Sequence, residues 1–172
     1  MANVAVPSLF SSDFIAACLA KEKDFSEEGF AQLHQWQLWQ AELKSDVRLP
    51  PSLRDECLEA FTSQPLRSSY LQADVMFELS SIGLRPEVEF LTRTGYRLDA
   101  LVEVKGTEVG IEVDGPSHFV GRGATGRTLL KRRQMSSLDE ISIVSVPYWE
   151  WNDLGKDRGK KQEYLRTLLR FR

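Results

Sequence analysis

Helical spacing of hydrophobic residues dominates the first half of the chain. Between residues 27 and 43, apolar side chains recur every three or four positions, as one face of an amphipathic helix requires. Ser26 precedes this segment and suits its N-cap position. The same spacing predicts three further helices, which are residues 11–23, a short helix after Pro50-Pro51 capped by Ser52, and residues 69–81.

Further along the chain the spacing changes to the alternation typical of strands. The predicted strands are residues 88–92, 96–104, 110–114 and 141–146. Tight turns are predicted at Gly95 and at Lys105-Gly106-Thr107. Two more amphipathic segments predict helices, which are residues 125–135, capped near Thr125, and residues 160–171.

Strands as apolar as these need cover on both faces of their sheet. The order helix, three strands, helix, strand, helix therefore predicts an α/β (α+β) domain in which helices flank a mixed sheet. We accordingly expect a helical N-terminal segment at residues 1–68 and an α/β domain at residues 69–172.

Two acids, Glu112 and Asp114, interrupt the third predicted strand. Alternation places both carboxylates on one face, and the hairpin with the preceding strand brings Asp99 towards them. His118 lies just past the end of the strand. Buried acids need a partner, which could be a metal ion, a basic side chain or backbone amides. Three carboxylates and an imidazole suit Mg²⁺ or Mn²⁺ better than zinc.

The charge distribution adds a second candidate site. Residues 1–114 carry 10 Lys/Arg against 19 Asp/Glu, a net charge of −9, whereas residues 115–172 carry 12 against 6, a net charge of +6. A basic second part permits a local phosphate-binding face on an acidic protein. Cys18 and Cys57 show no pairing pattern and are predicted to be buried free thiols. No apolar run approaches the roughly 20 residues of a membrane span, so no membrane partner is expected.

Five parts of the sequence form one recurring pattern, and they are Asp99, Ile111-Glu112-Val113-Asp114-Gly115-Pro116-Ser117-His118-Phe119, Thr125-Gly126-Arg127-Thr128-Leu129-Leu130-Lys131-Arg132-Arg133, Val146-Pro147-Tyr148-Trp149-Glu150-Trp151 and Tyr164-Leu165. Together they resemble the RAP domain, a module of organellar RNA-binding proteins in apicomplexans, algae and the animal FASTK family. The preceding helices resemble the helical segment often found just before this domain.

The resemblance implies a fold like that of the PD-(D/E)xK nucleases and the very short patch repair endonuclease. Asp99 and Glu112 match the two metal-binding acids of that fold. The lysine expected two residues after the second acid is Asp114 here, which cannot stabilise developing negative charge but can add a metal ligand. His118 occupies a place comparable to the histidine of the repair endonuclease and could act as general acid or base.

On this resemblance, we expect a protein that binds organellar mRNA or ribosomal RNA in RNA processing, stability or translation, without needing a cofactor. A mitochondrial location is expected, with the plastid as the alternative. Two other functions stay open. One is a metal-dependent RNA endonuclease that uses Asp99, Glu112 and Asp114. The other is a structural component of an organellar ribosome, with ribosomal or helical-repeat RNA-binding proteins as partners.

Two groups of residues are expected to contact RNA, and non-catalytic binding is favoured over cleavage. Basic side chains would contact phosphates, and they are Arg122, Arg127, Lys131, Arg132, Arg133, Lys160 and Lys161. Aromatic side chains would stack on an unpaired base, and they are Tyr148, Trp149 and Trp151.

Overall fold

The computed structural model describes residues 12–63, 65 and 69–170 of the 172-residue chain. Two compact units are present, Met1–Pro65 with Thr94–Tyr96, and Leu66–Arg93 with Arg97–Arg172. The boundary predicted at residue 68 lies outside the described residues, and the division into residues 1–68 and 69–172 stays a prediction.

The described part of the first unit is helical, as its hydrophobic spacing predicts. Its helices are α1 (Ser12–Ala20), α2 (Glu27–Glu42) and α3 (Pro51–Thr62). The Ser26 side chain caps α2 by accepting a hydrogen bond from the Gly29 N–H at 3.2 Å, which confirms the predicted cap. The prediction that Ser52 caps α3 is wrong, because α3 begins at Pro51. Proline suits the first helical position, where its missing N–H has no helical partner to lose.

Two cysteines lie in the core of this unit. Trp36, Leu53 and both thiols, Cys18 and Cys57, are buried together, and both cysteines are free, as predicted. Burial, with smaller effects from nearby groups such as Glu56, raises the pKa of the Cys57 thiol to about 12. The thiolate is therefore not populated at neutral pH, and Cys57 acts as a small packing residue.

The second unit has the predicted mixed α/β architecture. Its strands are β1 (Glu87–Leu91), β2 (Arg97–Val104), β3 (Thr107–Asp114), β4 (Phe119–Val120), β5 (Gly123–Ala124) and β6 (Ser142–Pro147). Its helices are α4 (Tyr70–Ser81), α5 (Gly126–Gln134), α6 (Tyr148–Asp153) and α7 (Arg158–Arg170). Phe171, the predicted last residue of α7, lies outside the described residues.

Four strands form one sheet in the order β1-β2-β3-β6, and β4 and β5 form a separate hairpin. Strand β2 is antiparallel to both of its neighbours, β1 and β3, whereas β6 is parallel to β3. The turn between β2 and β3 has positive φ at Lys105 (54°) and Gly106 (80°), as a type I′ hairpin turn requires, which confirms the predicted turn.

The parallel pairing of β3 with β6 brings the carboxyl ends of the two strands together, with Asp114 opposite Pro147. We call this end of the sheet, with the segments that leave it, the carboxyl edge. The loop that follows β3 and the helix α6 that follows β6 both start here. Helix α6 and the β4–β5 hairpin had no predicted counterpart.

The core of the second unit lies on one face of the sheet. Val75 and Leu79 of α4 pack there with Ile111 of β3, Trp151 of α6 and Leu165 of α7. The opposite face carries the acids of β3. None of the described helices is long and apolar enough to cross a membrane.

Close packing on the opposite face depends on a glycine in β3. A Cβ atom at Gly110 would lie 2.8 Å from Ile143 Cδ1 and 2.9 Å from Leu98 Cδ1. A side chain at this position would therefore push the neighbouring side chains apart.

Candidate functional site

The first acid, Glu112, is buried beneath α5. Glu112 and Asp114 lie on the face opposite to the core residue Ile111, as alternation predicts. The Lys131 ammonium of α5 donates to the Glu112 carboxylate, with Nζ 2.7 Å from Oε1 and 2.9 Å from Oε2. Burial raises the pKa of Glu112 to about 7, against the opposing charge of Lys131. The Glu112 carboxyl group is therefore expected to titrate near neutral pH.

The second acid, Asp114, is fully buried and joins three other elements. Its Oδ2 accepts hydrogen bonds from Arg132 of α5 and from the Ser145 hydroxyl of β6, the latter at 2.5 Å. Its Oδ1 lies 2.8 Å from Nδ1 of His118 in the loop after β3. We call these four residues the Asp114 cluster. Burial opposes ionisation, but these partners outweigh it and hold the pKa of Asp114 below its ordinary value.

The side chain of the third acid, Asp99, contacts the backbone of β3. The backbone pairing between β2 and β3 ends at Ala100–Ile111. Beyond that pair, the Asp99 carboxylate accepts a hydrogen bond from the Val113 N–H at 2.6 Å. Burial raises the pKa of Asp99, and the negative charges of Glu89 and Asp114 add to this effect. The structure thus brings Asp99 towards the acids of β3, where the hairpin argument predicts it.

As arranged, these acids do not fit a divalent metal ion. The part of the chain that the structure describes contains no group of three or more His, Cys, Asp or Glu side chains able to hold one. Lys131 contacts the oxygens of Glu112, while Arg132 and His118 contact those of Asp114. A Mg²⁺ or Mn²⁺ ion would have to displace these side chains. Metal binding by Asp99, Glu112 and Asp114 therefore stays a prediction.

The predicted phosphate-contacting residues divide into three groups. Lys131 and Arg132 are half-buried over the carboxylates described above. Four residues are exposed, which are Arg122 in the β4–β5 turn, Arg127 and Arg133 on α5, and Lys160 on α7. Lys161 is buried and belongs to a third group with Trp151.

Trp151 and Lys161 form part of the internal packing. Trp151 is 2% exposed, and its indole N–H donates to Asp74 of α4 at 2.8 Å. The Lys161 ammonium donates to the same Asp74 oxygen at 2.6 Å and lies 5.2 Å from the centre of the Trp151 ring. These contacts tie α4, α6 and α7 together. RNA could contact these two residues only if they left their partners, so they are packing residues rather than surface residues.

The other two predicted stacking residues, Tyr148 and Trp149, lie at the carboxyl edge and are half-buried. Phe119, which the prediction of site residues omitted, joins them, with its ring centre 4.4 Å from that of Trp149. Ser145 was also missed. A lone hydroxyl in the apolar run Ile143–Val146 was the available signal, but its partner Asp114 depends on the parallel pairing of β6 with β3.

The chain has two histidines, and we expect them to titrate on opposite sides of the ordinary pKa of 6.5. The hydrogen bond to Asp114 raises the pKa of His118, whereas burial lowers that of His34. Protonated His118 therefore stabilises the folded protein. This contribution is complete below pH 6.5 and is lost as pH rises through the folded pKa of His118. NMR titration of the imidazole resonances measures both pKa values.

The variant His118→Gln assigns the two NMR signals, because only the His34 signal remains. The difference in free energy of unfolding between wild type and this variant should shrink as pH rises above the folded pKa of His118. A His118 signal that titrates below pH 6.5 would contradict the ion pair with Asp114.

Comparison with known proteins finds a family similarity for part of the chain. Residues 111–168, which include the end of β3 and all of α5, β6 and α6, match the family model of the RAP domain. The chain is 37% identical over 112 residues to a "RAP domain-containing protein, chloroplastic" of Oryza sativa subsp. japonica. That match covers 63% of this chain, and the chain spans only 16% of the length of the relative. The likeness to PD-(D/E)xK nucleases stays a prediction. Residues 111–168 of this chain are therefore similar to a RAP domain.

Proposed function

We propose that this chain binds RNA at the carboxyl edge of its RAP domain. The observation that carries the proposal is the exposure of Arg122 and Arg127 on either side of one anchored segment. The Thr125 N–H, between these arginines, donates to the His118 carbonyl oxygen at 2.9 Å. This hydrogen bond fixes the backbone between the two arginines to the segment that follows β3. The two guanidinium groups are therefore available to bind the phosphates of one RNA strand.

The family and the charge distribution support this proposal. RAP domains are generally RNA-binding. The net charge of +6 on residues 115–172 comes from the part of the chain that holds both arginines. The Asp114 cluster neutralises Arg132 internally, whereas Arg122 and Arg127 are exposed to solvent.

We further propose that the RNA is an organellar mRNA or ribosomal RNA and that the protein acts in its processing, stability or translation. The name of the rice relative favours a plastid. The mitochondrion is the alternative, in keeping with the family resemblance. A reporter fused to the carboxyl terminus of the native protein, imaged with plastid and mitochondrial markers, distinguishes the two. A reporter that coincides with neither organelle would contradict the proposed location.

The double variant Arg122→Gln, Arg127→Gln is expected to weaken RNA binding for every sequence tested. Loss of two phosphate contacts should reduce the slope of log affinity against log salt concentration by about one unit for each arginine. Fluorescence anisotropy with labelled single-stranded RNA across a salt series measures both the affinity and the slope.

The matched control is Arg54→Gln, which removes an exposed arginine of α3 that already pairs with Asp55 at 3.2 Å. This control should bind RNA as wild type does. Wild-type affinity and salt slope in the double variant would overturn the proposed interface. Wild type that fails to bind any RNA would overturn the proposed function.

The same samples test the endonuclease alternative. Each labelled RNA is incubated with Mg²⁺, with Mn²⁺ or with a chelator, and the products are separated by length. Binding without cutting in all three conditions supports the proposal. Metal-dependent cutting that Asp99→Ala and Glu112→Ala both abolish, in proteins that remain folded, would instead establish the nuclease. A role inside an organellar ribosome would appear as co-sedimentation of the native protein with ribosomal subunits.

A further inference from the structure

Three aromatic rings form a cluster at the carboxyl edge. Phe119 begins β4, and Tyr148 and Trp149 begin α6 directly after β6. The Trp149 ring centre is 4.4 Å from that of Phe119 and 5.2 Å from that of Tyr148, with interplanar angles of 66° and 82°. We call these residues the aromatic trio. Edge-to-face contacts of this kind hold the rings in fixed orientations.

The aromatic trio lies outside the main core of its unit. That core, as far as the structure describes it, contains Trp151 but none of the three rings. Each ring of the trio is half-buried, so part of its surface faces solvent. Val120, the residue after Phe119, is 79% exposed. The edge thus presents ordered aromatic surface that internal packing leaves uncovered.

Cationic side chains lie close to the aromatic trio in the same segments. Phe119 pairs with Ala124 across the β4–β5 hairpin, and Arg122 lies in the turn of that hairpin. His118 immediately precedes Phe119, and its ion pair with Asp114 favours the imidazolium form. The edge therefore combines aromatic surface with cations, the two features that recognise an unpaired base and its flanking phosphates.

We propose that the aromatic trio, with Trp149 at its centre, stacks on an unpaired base, so that the chain selects single-stranded RNA over duplex RNA. This inference rests on the RNA binding proposed above and names its substrate class. In a duplex the bases are already stacked on their neighbours, and their faces are closed to a protein ring. A single strand can offer a base face to Trp149 while the arginines contact its phosphates.

The test compares two forms of one RNA. A labelled, unstructured strand of about 12 nucleotides, within the usual site size for such binding, is used alone or annealed to its complement. Wild type should bind the single strand more tightly than the duplex. Trp149→Leu in the full chain should weaken single-strand binding by about 5- to 100-fold, the usual effect of losing one stacked base, and leave duplex binding unchanged.

Tyr70→Leu is the matched control, because Tyr70 is an aromatic residue of α4 that is 88% exposed. This variant should retain the affinity and preference of wild type. Trp149→Phe keeps a smaller ring and should retain part of the preference. It also decides the outcome if the leucine variant fails to fold.

Two results would overturn the inference. One is wild-type binding of single strand and duplex with equal affinity, and the other is wild-type single-strand affinity in a folded Trp149 variant. If either result accompanied a loss of affinity in the Arg122, Arg127 variant, the proposed RNA binding would stand without the stacking site. Failure of wild type to bind either RNA would remove both proposals.

Discussion

Replacing Asp114 by alanine is expected to lower the free energy of unfolding of the second unit by about 3 kcal/mol. The change leaves Arg132, His118 and Ser145 without their shared acceptor. Losing one partner of a buried ion pair usually costs more, but partial exposure of Arg132 and His118 lets water compensate in part. Urea denaturation followed by far-ultraviolet circular dichroism gives the free energy.

The control for this variant is Glu163→Ala, which removes an exposed acid from α7 in the same unit. Its free energy of unfolding should stay within about 0.5 kcal/mol of the wild-type value. Equal effects of the two substitutions would contradict the role of Asp114 as the centre of its cluster.

Trp151→Ala should cost about 3–5 kcal/mol in free energy of unfolding, the usual range for emptying a buried tryptophan site. The substitution leaves a cavity in the core and removes both the indole hydrogen bond to Asp74 and the ring surface beside Lys161. Hydrogen exchange of the β3 and β6 amides measures the stability of this unit at residue level.

Trp149→Ala is the informative comparison for Trp151→Ala. The Trp149 ring is half-buried beside Phe119, so its removal should cost about 1–2 kcal/mol. A larger loss of stability at Trp149 than at Trp151 would contradict the division between a packing residue and a surface residue. It would also remove the basis for using Trp149 as a probe of stacking.

Local physical chemistry accounts for the parts of the fold that could be predicted. The caps Ser26 and Thr125 and the turn at Lys105-Gly106 follow from residue types within a few positions of each other. The placement of Glu112 and Asp114 on one face follows from the two-residue repeat of a strand. Each prediction needed only neighbouring residues, and each is confirmed.

The partners of the acids could not be predicted in the same way. Asp114 and Ser145 are 31 residues apart and meet because α5 carries the chain across to a parallel strand. Successive residues on a helix point about 100° apart, so the rotation of α5 decides which cations face the sheet. That rotation places Lys131 and Arg132 over the carboxylates and leaves Arg133 exposed. It depends on packing that the spacing of charges does not specify.

The three aromatic residues after β6 show the same limit. The sequence predicts no secondary structure for this segment, and on that basis Tyr148, Trp149 and Trp151 all count as candidate stacking residues. The structure makes it the helix α6, which turns Trp151 into the core and leaves Tyr148 and Trp149 half-buried at the edge. A short helix of six residues gives too few periodic positions for the spacing to be recognised.

Structural support and RNA binding, as proposed above, depend on different side chains of adjoining segments. The Asp114 cluster fixes the strand, loop and helix to one another, whereas Arg122 and Arg127 reach solvent. At the proposed interface, substitutions at these two arginines therefore change the affinity for RNA of any sequence while the folded framework keeps its stability. The RNA affinity of such a domain can be tuned in evolution, or by engineering, through a few surface changes.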